Sequence, residues 1–217
     1  MERAMIVVND VSLKIKEKNI LSNVSLQVRQ GEICGIVGRN GSGKTMLLKC
    51  ICGFVRPTAG MVLVQGKKIG KEVDFIPDAG IIIENPGFIP YYSGIKNLRL
   101  LAAIQGKIKD KEIREAMVKV GLNPDRRRAV RKYSLGMRQR LGLAQAIMEN
   151  PNTLILDEPF NGLDKEGVLE MREYFLKLKE EGKCILLCSH SAEDIKVLCD
   201  RVYEMEHGKL EEIVAVE

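Results

Sequence analysis

No stretch of the chain approaches the ~20 consecutive apolar residues that cross a bilayer. Its longest apolar runs, residues 184–188 and 153–156, are the length of single strands. The opening MERAMIVVND carries no apolar segment followed by small residues, so no secretory leader is expected. The expectation is a cytosolic protein, or one held at a membrane by a partner. The six cysteines, at 34, 50, 52, 184, 188 and 199, include no CxxC pair and no zinc spacing. They read as reduced thiols buried in an intracellular fold. Internal repeats and low-complexity linkers are absent. Neither sign of charge is scarce: 34 Lys and Arg against 29 Asp and Glu give a net charge of +5. That excess is too mild to choose between nucleic acid, a nucleotide and an anionic membrane face.

What is present is a globular composition, 45% hydrophobic and 29% charged, over 217 residues. This suits one large domain spanning 1–217, or a domain carrying an insertion. Residues 4–8, 12–15 and 23–28 cluster β-branched residues and read as strands, with a turn at 16–19. Residues 32–37 form a short apolar strand, and 45–53 a helix closed by Gly53. Further strands are expected at 61–64 and 81–83. Helices follow at 95–105, at 110–120 with Asp110 as cap and Gly121 as terminator, and at 134–149. The last third alternates: strand 153–156, helix 165–181, strand 184–188, helix 192–198, strand 201–205. Such alternation implies a parallel sheet with crossover helices. The expected fold is α/β, with a mainly parallel core sheet, an N-terminal antiparallel β portion and a helical insertion at about 87–150.

Two motifs carry the chemistry. Gly38-Arg39-Asn40-Gly41-Ser42-Gly43-Lys44-Thr45 fits GxxxxGK[ST], follows an apolar strand and opens a helix. The glycines admit backbone conformations that turn successive N–H groups toward phosphate oxygens, and the helix adds its positive end. Lys44 is then placed for the β- and γ-phosphates and the Thr45 hydroxyl for Mg²⁺. Leu154-Ile155-Leu156-Asp157-Glu158-Pro159 is an apolar strand ending in two carboxylates. Ligands of open α/β sheets bind beyond the carboxyl ends of strands. Asp157 can hold Mg²⁺ there and Glu158 can deprotonate an attacking water. These motifs define a P-loop NTPase without separating kinases from ATPases.

Tyr133-Ser134-Leu135-Gly136-Met137-Arg138-Gln139-Arg140 precedes the acidic strand. At this point the chain resembles the ATP-binding cassette (ABC) ATPases along its whole length. Residues 38–45 look like Walker A, 154–158 like Walker B, and Ser134, Leu135, Gly136 and Met137 like the family signature. Asn161-Gly162-Leu163-Asp164 is similar to the D-loop, and Ser189-His190 to the switch histidine. Within the family, Ile83-Glu84-Asn85-Pro86-Gly87-Phe88 resembles the bacitracin and lantibiotic-resistance transporter ATPases. The resemblance implies binding and hydrolysis of ATP with Mg²⁺. It implies a head-to-tail dimer, expected to pair two copies, in which each signature closes over the other subunit's ATP. Ser134 would be both helix cap and phosphate donor, far from its own phosphate loop. His190 would contact the γ-phosphate, and Asp164 the opposite subunit.

Three positions depart from the family pattern. Glu84 stands where the family carries glutamine; a carboxylate can ligate Mg²⁺ but repels phosphates. The signature lacks a side-chain amide at Met137. The aromatic that stacks on adenine falls at Ile15, which offers no π-face. Phe88, Tyr91 and Tyr92, just after Glu84, would suit an interface with an integral membrane subunit. The basic run Arg126-Arg127-Arg128 and Arg131-Lys132 reads as a solvated face. The implied function is the ATPase subunit of a transporter, peripheral on the cytoplasmic side of the membrane, powering export of peptides or drugs through a separate pore, with no nucleic acid expected. Rival readings are a soluble ABC ATPase acting on ribosomes or nucleic acid, and a P-loop kinase.

Overall fold

The computed structural model describes residues 4–84 and 86–213; Asn85 of the motif above lies outside them. Alternating burial builds the first layer. β1 (Ala4–Ile15) and β2 (Lys18–Arg29) pair antiparallel. β1 buries Ile6 and Val8, then Val11 and Leu13; β2 buries Leu21, then Val24, Leu26 and Val28. The two-residue period slips once in each strand, near Asp10 (φ 48°) and Asn23 (φ 49°). The pairing register shifts around Val11. Asn23 N–H donates to Ser12 Oγ, whose hydroxyl donates back to Asn23 Oδ1, both at 2.9 Å. The phase break that separates 4–8 from 12–15 in the sequence is therefore a bulge inside one strand. β4 (Ala59–Val64) and β5 (Lys67–Lys68) complete a sheet ordered β2-β1-β4-β5.

The second sheet contains β3 (Ile33–Val37), β6 (Ala79–Ile82), β7 (Thr153–Asp157), β8 (Cys184–Cys188), β9 (Arg201–Glu206) and β10 (Lys209–Ile213). Its order is β10-β9-β3-β8-β7-β6, parallel except for the β9–β10 hairpin. β5 and β10 carry too few apolar residues to signal a strand, and the sequence reading missed both. The central strands are apolar on both faces, as buried parallel strands must be. Ile185 and Leu187 join Leu154, Leu156 and Phe175 in one core, while Cys184, Leu186 and Cys188 join Ile36, Leu47 and Ile51 in the other. All six cysteines are free. Burial pushes the Cys50 thiol up to about 11 and those of Cys52, Cys184 and Cys199 up to about 12.

The helices are α1 (Lys44–Cys52), α2 (Gly94–Gln105), α3 (Asp110–Lys119), α4 (Leu135–Ile147), α5 (Lys165–Glu180) and α6 (Ala192–Leu198). α2, α3 and α4 fall between β6 and β7, which are neighbours in the sheet. Gly121, at φ 74°, follows α3 as the terminator expected of it. Its start differs from expectation. Lys109 is the N-cap, and its N–H is taken by the Glu112 carboxylate at 2.9 Å. Asp110 instead pairs with Arg99 at 2.6 Å.

α4 sits directly on β6. A Cβ at Gly80 would lie 1.9 Å from the Ala146 carbonyl oxygen. Gly80→Ala should therefore cost about 1–3 kcal/mol of stability through overpacking, seen as a lower urea midpoint at unchanged m-value. Gly87→Ala, with nothing within 4 Å of the added Cβ, should leave the midpoint in place.

Candidate active site

The carboxyl ends of β3, β7 and β8 open into a cleft of about 520 Å³. β3 runs into the glycine-rich loop, where Gly38, Gly41 and Gly43 take φ of 145°, 80° and 121°. Those values are closed to residues with a side chain unless strained. The loop feeds straight into α1. Lys44 is buried, and its Nζ donates to the Gly38 carbonyl at 2.5 Å and the Arg39 carbonyl at 3.2 Å. Arg39, Asn40, Gly41, Gly43, Lys44 and Thr45 all line the cleft. Ser42 does not; its hydroxyl is buried without a hydrogen-bond partner.

β7 delivers the carboxylates. Thr45 Oγ1 donates to Asp157 Oδ2 at 2.8 Å, joining the loop to the acidic strand. Glu158 follows at φ 49°, a conformation held from two sides. Its N–H donates to the Cys188 carbonyl at 3.0 Å, and Gln139 Nε2 donates to the carbonyls of Glu158 (3.1 Å) and Pro159 (2.9 Å). His190, just beyond β8, places Nε2 2.9 Å from Asn40 Oδ1 and 3.1 Å from Glu158 Oε1. The aligned hydrogen bond goes to Asn40, since Glu158 Oε1 has no properly directed donor. Burial raises the Glu158 carboxyl above the usual carboxylate range, against the lowering pull of His190. A carboxylate that prefers its proton is a stronger base once ionised.

Oxygen donors from Thr45 and Asp157, two side chains already in contact, form a hard set that suits Mg²⁺. Glu84 also borders the cleft, but its carboxylate is taken by Lys49 at 2.6 Å. Ser134 caps α4, accepting from Met137 N–H at 3.2 Å. Gly136 lies against the Gly162 carbonyl, leaving 2.4 Å for a Cβ. Met137 packs on the core. Ser134 and Gly136, expected to lie away from their own phosphate loop, do not line the cleft, whereas Leu135, 54% exposed, does, because α4 docks on the turn after β7. Asp164 caps α5 and pairs with Arg140 at 2.8 Å, which holds its carboxyl below the usual range.

Ile15, the position expected to meet the base, sits exposed at the β1–β2 hairpin and does not line the cleft; Ile20 does. Sequence reasoning also missed Gln139 and Lys49. Gln139 lies one helical turn beyond Leu135, and Lys49 one turn beyond Thr45, spacings that place each pair on one helix face.

A phosphate loop, a hydroxyl–carboxylate pair and a half-buried second carboxylate in one cleft of a parallel sheet define a P-loop nucleoside triphosphatase. Residues 21–161 match the family described as ABC transporter. The uncharacterised ABC transporter ATP-binding protein YybJ of Bacillus subtilis (strain 168) is 42% identical over 207 residues, 95% of each chain. The bacitracin transport ATP-binding protein BcrA of Enterococcus faecalis is 39% identical over 92% of this chain, which spans 66% of that protein. A solved ATP-binding subunit of an ABC transporter superposes with a TM-score of 0.85 at 26% identity, covering 97% of this chain and 90% of that one. The chain belongs to the ATP-binding cassette transporter family. It is an ATP-binding, ATP-hydrolysing subunit of that class.

No Phe or Tyr side chain lines the cleft among the described residues. ATP and GTP should therefore bind with affinities within about three-fold of each other, since the ~1 kcal/mol of a stacking ring is missing. Competition titrations with a fluorescent nucleotide would measure this.

Proposed function

We propose that two copies of this chain pair head to tail around ATP and drive export of peptide antibiotics through a separate membrane subunit. The observation that carries the nucleotide half is the convergence of Lys44, Thr45, Asp157, Glu158 and His190 on one cleft. Lys44 leaves its two loop carbonyls to reach the β- and γ-phosphates. Thr45 and Asp157 would hold Mg²⁺, which when bound would supply positive charge against the phosphates, and Glu84 would join them only on leaving Lys49. Glu158 takes the proton of a water attacking the γ-phosphorus, the bridging bond to the β-phosphate breaks, and ADP leaves. His190, between Asn40 and Glu158, holds the carboxylate and the γ-phosphate in line. The exposed Ser134 and the start of α4 would face the partner's γ-phosphate, with Asp164 at the same boundary.

No described helix is long and apolar enough to cross a membrane. In this reading the pore belongs to the separate membrane subunit, and this chain is peripheral on the cytoplasmic side. Support for a docking face after Glu84 comes from Tyr91, 72% exposed, and Ile89, 44% exposed. Phe88, partly buried, packs against the core and Tyr92 lies under Lys96, which leaves Tyr91 as the exposed ring of the three. The substrate class follows BcrA and the lantibiotic transport ATP-binding protein SrtF of Streptococcus pyogenes, 32% identical over 95% of this chain.

Glu158→Gln should retain ATP, lose at least about 100-fold in turnover and elute as a dimer with ATP; undiminished turnover by a monomer would overturn the proposal. The wild-type acidic limb should lie above pH 4.5, the ordinary carboxyl value, because burial raises Glu158. A raised folded pKa means stability is lost as pH climbs through it. The Gln variant should thus be more stable than wild type at pH 8 and lose that advantage toward pH 4 in urea titrations. Coexpression with the membrane subunit should raise resistance to a peptide antibiotic, and unchanged sensitivity would remove that substrate class.

A further inference from the structure

Glu84 presents a physical problem that its surroundings answer. It borders a cleft already containing the carboxylates of Asp157 and Glu158. A third carboxylate beside a triphosphate adds repulsion that glutamine would not. Its backbone sits at φ 59°, a strained conformation for a residue with a side chain. This places Glu84 just past β6, and its Oε1 lies 2.6 Å from Lys49 Nζ. Lys49 is in the last turn of α1, the helix that begins with Lys44 and Thr45. It has no other ion-pair partner among the described residues. Lys49 side-chain exposure is 25% against 61% for Glu84, so the cation is the anchored member and the carboxylate is drawn to it.

We propose that Lys49 is a positioning residue for nucleotide binding that acts through Glu84. It clamps the carboxylate along the flank of α1 and offsets its charge, so that a triphosphate entering beside Arg39 and Lys44 meets less repulsion from residue 84. The effect of Lys49 then exists only while residue 84 is a carboxylate. This inference rests on the cleft holding nucleotide, a point that wild-type binding checks in the same titration.

The test is a double-mutant cycle read as ATP affinity by calorimetry in EDTA, where no metal screens the phosphates, and again with Mg²⁺. Lys49→Met should weaken metal-free binding about three- to five-fold, the size expected of a partly exposed charge pair. Lys49→Gln should reproduce the loss and Lys49→Arg should restore binding, with unfolding curves confirming that each variant folds. In the Glu84→Gln background, the same Lys49→Met change should alter affinity by less than about 1.5-fold. Raising the salt from 50 to 500 mM should erase most of the difference between Lys49→Met and wild type. An equal loss in both backgrounds would mean that Lys49 acts on the phosphates directly, and would overturn the proposal. No loss in either background would overturn it as well. Failure of the wild type itself to bind nucleotide would defeat the cleft reading along with it.

Discussion

Everything in the site depends on the parallel pairing of β3, β8 and β7 through stretches that carry no charged side chain before Asp157. β8 is buried along its whole length, and β7 is buried until Asp157. Charge cannot enter such strands without a partner, so polar groups concentrate where the strands end. Because the three run the same way, their carboxyl ends open together. Lys44, Asp157, Glu158 and His190 are separated by up to 146 positions in sequence, yet they meet because one sheet edge gathers them. The bond from Glu158 N–H to the Cys188 carbonyl continues the β7–β8 ladder one step past the sheet. The carboxylate proposed as base is therefore fixed by the same pairing that builds the core.

The antiparallel layer and α4 both reach that edge. Ile20 of β2 lines the cleft, and so do Leu135 and Gln139 of α4. Gln139 spans two successive carbonyls after β7, and Arg140 ties the Val120 carbonyl to Asp164. A helix inserted between two adjacent strands of the sheet thus braces the backbone of the residue proposed as base.

Much of this was legible in sequence. The central strands 153–157 and 184–188 announce themselves because burial on both faces demands continuous apolar residues. The helices α5 and α6 could be read from their alternation with those strands; Asp164 and Ser191 cap them, their side chains accepting from Gly167 and Asp194 N–H groups. The glycine-rich loop and the acidic strand end were visible because their chemistry constrains consecutive residues. What stayed hidden was set by distant partners. The bulges at Asp10 and Asn23 look like chain breaks until Ser12 is seen bonding across to Asn23. Asp110 has the chemistry of a cap, yet Arg99, eleven residues away on the neighbouring helix, claims it. Ile15 falls at the position that the family pattern assigns to the base, but the hairpin carries it out of the cleft and leaves Ile20 there. The contacts of Lys49 with Glu84 and of Asn40 with His190 join residues 35 and 150 positions apart, beyond any local pattern.

The six cysteines have a consequence of their own. A thiol whose ionisation lies near 11 or 12 presents almost no sulfur anion at neutral pH, and five of the six are also walled off from solvent. Maleimides and mild peroxide attack the anion, so the native chain is chemically quiet toward them. A single cysteine engineered onto the surface would stand alone as a reactive handle for a fluorophore or a cross-linker, with no native residue needing removal first.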